Sequence, residues 1–247
     1  MTGLPDVKKM SDSEKREFRY RAFINRRDSA IKDINEMFLP QRIAAELYWW
    51  VESETWMPLM LYGVGGNGKT TVSRILSRMF CIDEHSMYRD MSMRTQIQDE
   101  IDAYESFIGR NWGFENMIYG YKHKNANVRS FIILDEFHNV GNKDQSDKFK
   151  GLLCKDYLSQ VKTRVVICCN TTADKDLESL FRDPILSRCN KLCFNLLRKE
   201  KEEVAKSIIE QYQYADEATV LALLPDYRQV KLYLEKAEYN YKLGGGV

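Results

Sequence analysis

The amino-acid sequence predicts an α/β fold, in which helices cover both faces of a parallel β-sheet and a small domain of three helices follows. Apolar runs of strand length alternate with segments of helical spacing up to Arg198, and this alternation is typical of parallel sheets. Beyond Arg198 the strand signals stop and three amphipathic helical patterns follow. A glycine-rich loop at residues 63–70 comes directly after the first apolar run, which indicates a sheet that binds phosphate groups.

The composition is that of a globular protein with a sizeable core. The 247 residues are 44% hydrophobic and 30% charged, with a formal net charge of +1, so bulk charge gives no argument for nucleic-acid binding. No apolar run reaches the length of a membrane span, and the first residues carry no hydrophobic signal core. We therefore expect a cytoplasmic protein (in the host cytoplasm if it is viral) without a membrane partner. The six cysteines lack the spacing of a zinc site, and we expect reduced thiols.

Composition and patterning divide the chain into four predicted segments. They are a basic N-terminal arm at 1–30, a nucleotide-binding domain at 31–197, a helical lid domain at 198–243 and a flexible tail at 244–247. The predicted strands are Pro58–Tyr62, Ser86–Met91, Ser130–Asp135, Arg164–Asn170 and Lys191–Leu196. The predicted helices are Gln41–Val51, the segment after the glycine-rich loop, Arg94–Ile108, Gln145–Val161, Arg198–Tyr214, Asp216–Leu224 and Asp226–Leu243. Residues 109–129 are rich in Gly, Asn and aromatic side chains, and we expect an irregular excursion there.

The loop Gly63–Thr70, with the sequence GVGGNGKT, matches the phosphate-binding P-loop. Its glycines let the backbone wrap closely around a phosphate chain, so that consecutive N–H groups point inward. The helix that follows adds the positive end of its dipole. Lys69 can reach the β- and γ-phosphates, and the Thr70 hydroxyl can bind Mg²⁺. The sequence therefore predicts a site for ATP and magnesium.

Polar side chains end two further predicted strands. Asp135 and Glu136 follow the apolar run SFIILD, and Asn170 ends RVVICCN. Because ligands of parallel sheets bind at the carboxyl ends of the strands, we expect these side chains to lie beside the P-loop. Asp135 can orient Mg²⁺, Glu136 can act as general base towards water, and Asn170 can hydrogen-bond that water and the γ-phosphate. The adjacent acidic pair favours hydrolysis over transfer to a second substrate.

Three arginines are candidates for contacts with the phosphates. Arg188 lies in the compact turn DPILSRC before a strand, and Arg182 is a nearby competitor. Arg228 begins the last predicted helix and could close onto the phosphates from the lid. Taken alone, Arg188 and Arg228 would usually be ordinary surface charges.

Five motifs together resemble the AAA+ ATPases, and within them the subunits of sliding-clamp loaders. The segments that carry the resemblance, in order, are GVGGNGKT, FIILDEF, VVICCN, DPILSRC and LPDYRQV. They are most similar to the large subunit of T-even-type phage loaders and to the small subunits of replication factor C. The Ser-Arg-Cys triplet at 187–189 is the most specific of these features, because P-loops and Asp-Glu pairs occur in many ATPases.

The resemblance implies a role for each matching residue. Arg188 would be a finger that reaches the ATP of a neighbouring subunit, Asn170 the first sensor, and Arg228 the second sensor acting on its own ATP. The implied ATP and Mg²⁺ ligands are Gly63, Val64, Gly65, Gly66, Asn67, Gly68, Lys69, Thr70, Thr71 and Asp135, with Ile34, Phe38 and Leu39 near the adenine. Arg94, Lys148 and Lys150 would contact DNA phosphates.

The resemblance leads to one main functional hypothesis and two alternatives. The main one is an ATPase subunit that joins other loader subunits in a ring, opens a sliding clamp and loads it on primer-template DNA during replication. A helicase loader, or another DNA-remodelling AAA+ ATPase, is the first alternative. The second is a scaffold that binds nucleotide without hydrolysing it. The family's Lys-Tyr-Arg-Pro entry is replaced by residues 25–28, Asn-Arg-Arg-Asp. The given sequence ends soon after the lid, so we expect either that it is truncated before the family's helical collar or that assembly relies on the ATP interfaces and a separate partner.

Overall fold

The computed structural model describes residues 37–53, 55–80, 86–92, 97–112, 128–140, 143–172 and 176–242. From Phe38 onwards these residues belong to one unit. The predicted arm at 1–30 and tail at 244–247 lie outside the described residues, as do Ile34, Arg94 and positions 113–127 of the predicted excursion.

Five strands in the described part of the chain form a parallel sheet. They are β1 (Leu59–Gly63), β2 (Ser86–Asp90), β3 (Ser130–Asp135), β4 (Thr163–Asn170) and β5 (Asn190–Cys193). Their order is β2-β3-β4-β1-β5, and each neighbouring pair is parallel. β3 is buried along its whole length and β4 is buried except at its last residue, whereas the edge strand β2 is half-buried. A parallel sheet covered on both faces therefore explains the near-continuous apolar runs of its central strands.

Helices follow or precede each strand. Before and after the P-loop lie α1 (Gln41–Glu52) and α2 (Lys69–Phe80), and α3 (Ile97–Trp112) comes after β2. Four short helices are α4 (Lys143–Ser146), α5 (Lys155–Gln160), α6 (Leu177–Leu180) and α7 (Asp183–Leu186). The last three are α8 (Arg198–Gln211), α9 (Glu217–Leu223) and α10 (Tyr227–Lys242). They pack around an apolar cluster of their own, formed by Val204, Ala205, Ile208, Val220, Leu224 and Val230.

The prediction of one helix over residues 145–161 is wrong. α4 ends at Ser146, a 3₁₀ helix covers residues 147–150, and α5 begins only at Lys155. The buried Phe149 packs edge-on against Phe137, with ring centroids 5.3 Å apart. The Leu152 carbonyl accepts a hydrogen bond from the Tyr104 hydroxyl at 3.0 Å. Packing of this segment against the sheet core therefore overrides its helical periodicity.

The predicted strand over 191–196 is also too long. β5 ends at Cys193, although the Phe194 N–H still donates to the Tyr62 carbonyl at 2.7 Å. From Asn195 the chain leaves the sheet, because the Asn195 side chain turns towards the P-loop and accepts a hydrogen bond from the Val64 N–H.

A buried arginine joins α1 to the sheet. Arg164 on β4 is only 4% exposed, and its guanidinium lies 4.7 Å from the centre of the Trp50 ring. It donates to the carbonyls of Ser53 at 2.7 Å and Trp50 at 3.3 Å. These carbonyls are at the C-terminal end of α1, where a cation satisfies acceptors that the helix itself leaves open.

Among the described residues, no helix has the length and apolar character needed to cross a membrane. No group of three or more His, Cys, Asp or Glu side chains in the same residues could hold a metal ion. Their cysteines, at positions 154, 168, 169, 189 and 193, are free thiols.

Candidate nucleotide-binding site

The carboxyl ends of three neighbouring strands bring the predicted site residues together. Gly63, which ends β1 and begins the P-loop, is paired with Asn170 at the end of β4. Asp135 ends β3 on the other side of β4. The Thr171 N–H donates to the Gly63 carbonyl at 3.1 Å and so continues the ladder past the strand ends. The P-loop, the acidic pair and Asn170 therefore form one site.

Glycine is required in the P-loop by backbone conformation and by close contacts. Gly63, Gly66 and Gly68 have φ angles of 141°, 82° and 90°, a region that side-chain-bearing residues rarely adopt. A Cβ atom on Gly66 would lie 2.3 Å from Asp226 Oδ1. The loop runs directly into α2, which has no acidic residue in its first turn, so the positive end of the helix dipole is not offset there.

The Lys69 ammonium lies inside the loop and is only 4% exposed as a residue. It donates to the carbonyls of Gly63 at 3.0 Å and Val64 at 2.7 Å, and to Asn67 Oδ1 at 2.9 Å. Burial lowers the pKa of Lys69 from its ordinary value, while the nearby Asp135 and Glu136 carboxylates oppose that shift. A cation enclosed by loop backbone in this way is placed to meet phosphate oxygens.

Thr70 and Asp135 form the candidate magnesium site. The Thr70 hydroxyl donates to the two Asp135 carboxylate oxygens at 3.0 and 3.2 Å. The Tyr88 hydroxyl on β2 also donates to Asp135. A hydroxyl and a carboxylate, both oxygen donors, fit the preference of Mg²⁺, which keeps its other positions for water and phosphate.

Glu136 is held by Asn170, the last residue of β4. Asn170 Nδ2 donates to its two carboxylate oxygens at 2.9 and 3.0 Å. Burial raises the pKa of Glu136 above its ordinary value, the negative charge of Asp135 raises it further, and the bond from Asn170 opposes both. In the structure Asn170 thus contacts the candidate base itself, whereas the sequence predicted a contact with the attacking water.

His138 was not predicted as a site residue. Its Nδ1 accepts a hydrogen bond from the Asn170 backbone N–H at 3.2 Å, and its Nε2 lies 3.4 Å from Glu136 Oε2. Because Nδ1 accepts, the proton of the neutral ring is on Nε2 and points to the carboxylate. The 3₁₀ helix Phe137–Asn139 turns His138 back towards β4, and its position three residues after Asp135 was the available sequence signal.

The N-terminal end of α10 lies on the P-loop. The Tyr227 N–H donates to the Gly66 carbonyl at 2.9 Å. The Arg228 guanidinium would lie 2.9 Å from a Cβ on Gly66, and its Nε is 3.4 Å from Asp226 Oδ1. With 64% of its side chain exposed, Arg228 is free to turn towards a ligand in the loop. The structure thus brings the predicted second sensor to the phosphate end of the site.

Arg188 lies at the opposite edge of the sheet from the P-loop. It comes just before β5, whose first residue Asn190 pairs with Leu59 at the start of β1. The five residues from Leu59 to Gly63 span about 13 Å of strand between the first and the last. The Arg188 guanidinium donates to the Pro184 carbonyl. Its competitor Arg182 forms ion pairs of 2.6 and 3.5 Å with Asp144 and Asp147.

The remaining predicted contacts lie away from these side chains. Phe38 and Leu39 are half-buried. The Phe38 carbonyl accepts a hydrogen bond from the Tyr227 hydroxyl, and its ring meets Tyr212 edge-on at 6.2 Å between centroids. Lys148 and Lys150 are exposed on the 3₁₀ helix that contains the buried Phe149.

Asn195 is a further residue of the site that was not predicted. Its Oδ1 accepts a hydrogen bond from the Val64 N–H at 2.8 Å. Like Asn170, it is an asparagine that follows a strand at the carboxyl edge of the sheet, and the same rule would have identified it.

No protein-family model and no curated protein sequence matches the chain. Among solved structures, it is similar to the replication initiator DnaA bound to AMPPCP and single-stranded DNA, with a TM-score of 0.53 and 14% identity over 87% of this chain and 65% of that one. The predicted α/β fold, a parallel sheet flanked by helices, is confirmed. Domain III of the Thermotoga maritima initiation protein DnaA gives a TM-score of 0.51 and 13% identity over 87% of this chain and 91% of that one. The AMPPCP-bound DnaA of Aquifex aeolicus gives 0.52 and 14%, and there this chain covers 66% of the other.

Proposed function

We propose that the chain is a magnesium-dependent ATP hydrolase that works in an oligomer on DNA. One observation carries the proposal. Lys69, the Thr70–Asp135 pair and the Glu136–Asn170 pair meet at the carboxyl ends of the strands. Lys69 is hydrogen-bonded to the loop and the members of each pair to each other, at distances of 2.7–3.2 Å. Phosphate binding, charge neutralisation and activation of water are the three tasks of phosphoryl transfer to water, and each has a residue here.

The proposed division of labour follows from the contacts. The loop N–H groups and Lys69 bind the β- and γ-phosphates. Thr70 and Asp135 would hold Mg²⁺, which would supply neutralisation of the phosphate charge. Glu136 takes a proton from a water molecule as the water oxygen bonds to the γ-phosphorus and the bond to the bridging oxygen of ADP breaks. A raised pKa makes Glu136 a stronger base than an ordinary carboxylate.

The position of Arg188 supports the proposed oligomer. Four residues of strand separate it from the P-loop of its own chain, so an arginine there serves the site of a neighbouring copy. Arg182, the competitor, is engaged by two carboxylates of its own chain, which favours Arg188 as the finger.

Within this class we propose the loading of a sliding clamp on primer-template DNA. The support is the resemblance of Ser187–Cys189 and Pro225–Val230 to clamp-loader subunits, together with an Arg228 that lies over the P-loop. A replication initiator or helicase loader is the second candidate. It is favoured by the structural likeness to a DnaA bound to AMPPCP and single-stranded DNA.

Two measurements test the proposal. Glu136→Gln should bind ATP and fail to hydrolyse it, whereas Lys69→Ala should lose ATP binding, because Lys69 contacts ground-state charge and Glu136 acts as hydrolysis begins. Equal loss of binding in both variants would contradict the assigned roles. Turnover is then measured with primed DNA and a sliding clamp, separately and together. Joint stimulation supports clamp loading, whereas stimulation by a replicative helicase and by no clamp supports the second candidate.

A further inference from the structure

Arg42 contacts the segment that connects the sheet to the lid helix α8. Arg42, on α1, donates from Nη1 to the Cys193 carbonyl at 3.0 Å and from Nη2 to the Asn195 carbonyl at 3.1 Å. These carbonyls lie where the chain leaves β5 and turns towards α8. The guanidinium fork thus fixes the backbone on both sides of Phe194.

The same guanidinium binds the first turn of α8. Arg42 Nε donates to Glu200 Oε1 at 2.8 Å, and Nη2 donates to Glu200 Oε2 at 3.1 Å. Glu200 Oε2 also accepts from the Leu197 N–H at 2.8 Å, which caps the helix. The hydrogen bond from Arg42 lowers the pKa of Glu200, against the effect of burial. The pair is bidentate and charge-assisted, which is the strongest class of side-chain hydrogen bond.

Asn195 carries this connection to the P-loop. While Arg42 holds its backbone carbonyl, its side-chain Oδ1 accepts from the Val64 N–H at 2.8 Å. A Cβ on Gly63 would lie 2.6 Å from that oxygen, so the glycine permits the close approach. The lid also contacts the other end of the loop, because the Tyr227 N–H donates to the Gly66 carbonyl.

We propose that Arg42 and Asn195 are positioning residues that couple the lid to the phosphate-binding loop. Any displacement of α8 moves Glu200, and through Arg42 it moves the backbone of Asn195 and hence the bond to Val64. A ligand that orders the loop orders α8 by the same route. The inference deepens the proposed function, since it concerns how this nucleotide site reports occupancy to the lid.

The test is a double-mutant cycle with a readout at each end of the connection. Arg42→Lys keeps the charge but loses the fork, and Asn195→Ala removes the acceptor for Val64. Each should weaken binding of a non-hydrolysable ATP analogue with Mg²⁺ by about tenfold. The double variant should be no weaker than the weaker single variant, because both changes break one connection. Arg198→Ala is the matched control, since its ion pair with Glu202 is on the same helix and its side chain is 95% exposed.

Hydrogen exchange at individual amides is the second measurement, because a change in overall stability alone would not produce the pattern expected here. In Arg42→Lys the Val64 amide should exchange faster than in the parent protein, although Arg42 does not touch that amide. The analogue should still protect the loop but no longer protect α8. If Arg42→Lys does not fold, Glu200→Gln, which keeps the helix cap and weakens the ion pair, takes its place.

Additive losses of affinity, or unchanged protection of α8 in Arg42→Lys, would overturn the coupling. A parent protein that binds no ATP analogue would instead refute the proposed function. The exchange rate of Val64 in the unliganded variants would then still decide between coupling and its absence.

Discussion

Replacing Arg188 with alanine separates ATP binding from hydrolysis if the finger acts on a neighbouring copy. Its own P-loop begins about 13 Å further along the sheet, since Arg188 precedes the residue that pairs with Leu59. ATP affinity of the isolated chain should therefore stay unchanged. Turnover in the assembled protein should fall by about 10³–10⁵-fold, which is the contribution of an arginine finger to phosphoryl transfer.

Mixing two inactive variants makes the test quantitative. Arg188→Ala keeps a complete site but lends no finger, and Glu136→Gln lends a finger but cannot hydrolyse. In a 1:1 mixture that assembles head to tail, half of the sites keep Glu136 and half of those face an intact finger, so turnover should recover to about a quarter of the parent value. The assay is steady-state phosphate release at a fixed total protein concentration.

Arg182→Ala is the matched control, because Arg182 precedes the same turn but is paired with Asp144 and Asp147. It should keep near-normal turnover. A mixture no more active than its separate components would refute action in trans. Loss of turnover in Arg182→Ala with retention in Arg188→Ala would show that the wrong arginine was chosen.

Three further predictions follow from individual contacts. Glu136 must be deprotonated to act, and its pKa is raised by burial and by Asp135. As the pH is lowered, kcat should therefore begin to fall at a higher pH than it would with an ordinary glutamate as the base. A pH profile in which kcat falls only in the usual titration range of Glu would contradict this. His138→Asn, whose amide oxygen can replace Nδ1 as acceptor, should keep most turnover, whereas His138→Ala should lower kcat about tenfold at unchanged KM; equal effects would deny a positioning role. Arg164→Met should lower the free energy of unfolding by about 2 kcal/mol, since two carbonyls lose a charged donor, and denaturant titration should find no change in the exposed control Arg198→Met.

The sequence predicted the parts of the site that depend on local order. The glycine pattern and the Lys69 and Thr70 that follow it are contiguous in the sequence. The apolar run that ends in Asp135 shows which end of the strand is the carboxyl end. The parallel topology then places Asp135 and Asn170 at one edge without any knowledge of side-chain contacts. These positions were predictable because strand direction and residue identity are both encoded within a few neighbouring residues.

The contacts that the sequence did not reveal depend on residues far apart in the chain. Asn195 meets Val64 across 131 positions and Arg42 meets Glu200 across 158. Nothing local distinguishes Arg42 and Glu200 from surface residues, and Arg164 looks locally like the polar start of a strand although it is buried. Helix periodicity failed at Phe149 for the same reason, because packing against Phe137 decides the backbone there.

Assembly gives a last prediction that is independent of turnover. If Arg188 reaches a neighbour's phosphates, ATP is part of the interface, and a non-hydrolysable analogue should promote self-association or association with a partner subunit. Sedimentation of the parent protein with and without analogue measures this, and Arg188→Ala should associate less while Arg182→Ala behaves as the parent. The two arginines lie on one short stretch with equal charge, so a difference between them cannot arise from bulk electrostatics. A ring that is stable without nucleotide, or equal association of both variants, would place the finger elsewhere and remove the main structural argument for an oligomeric ATPase.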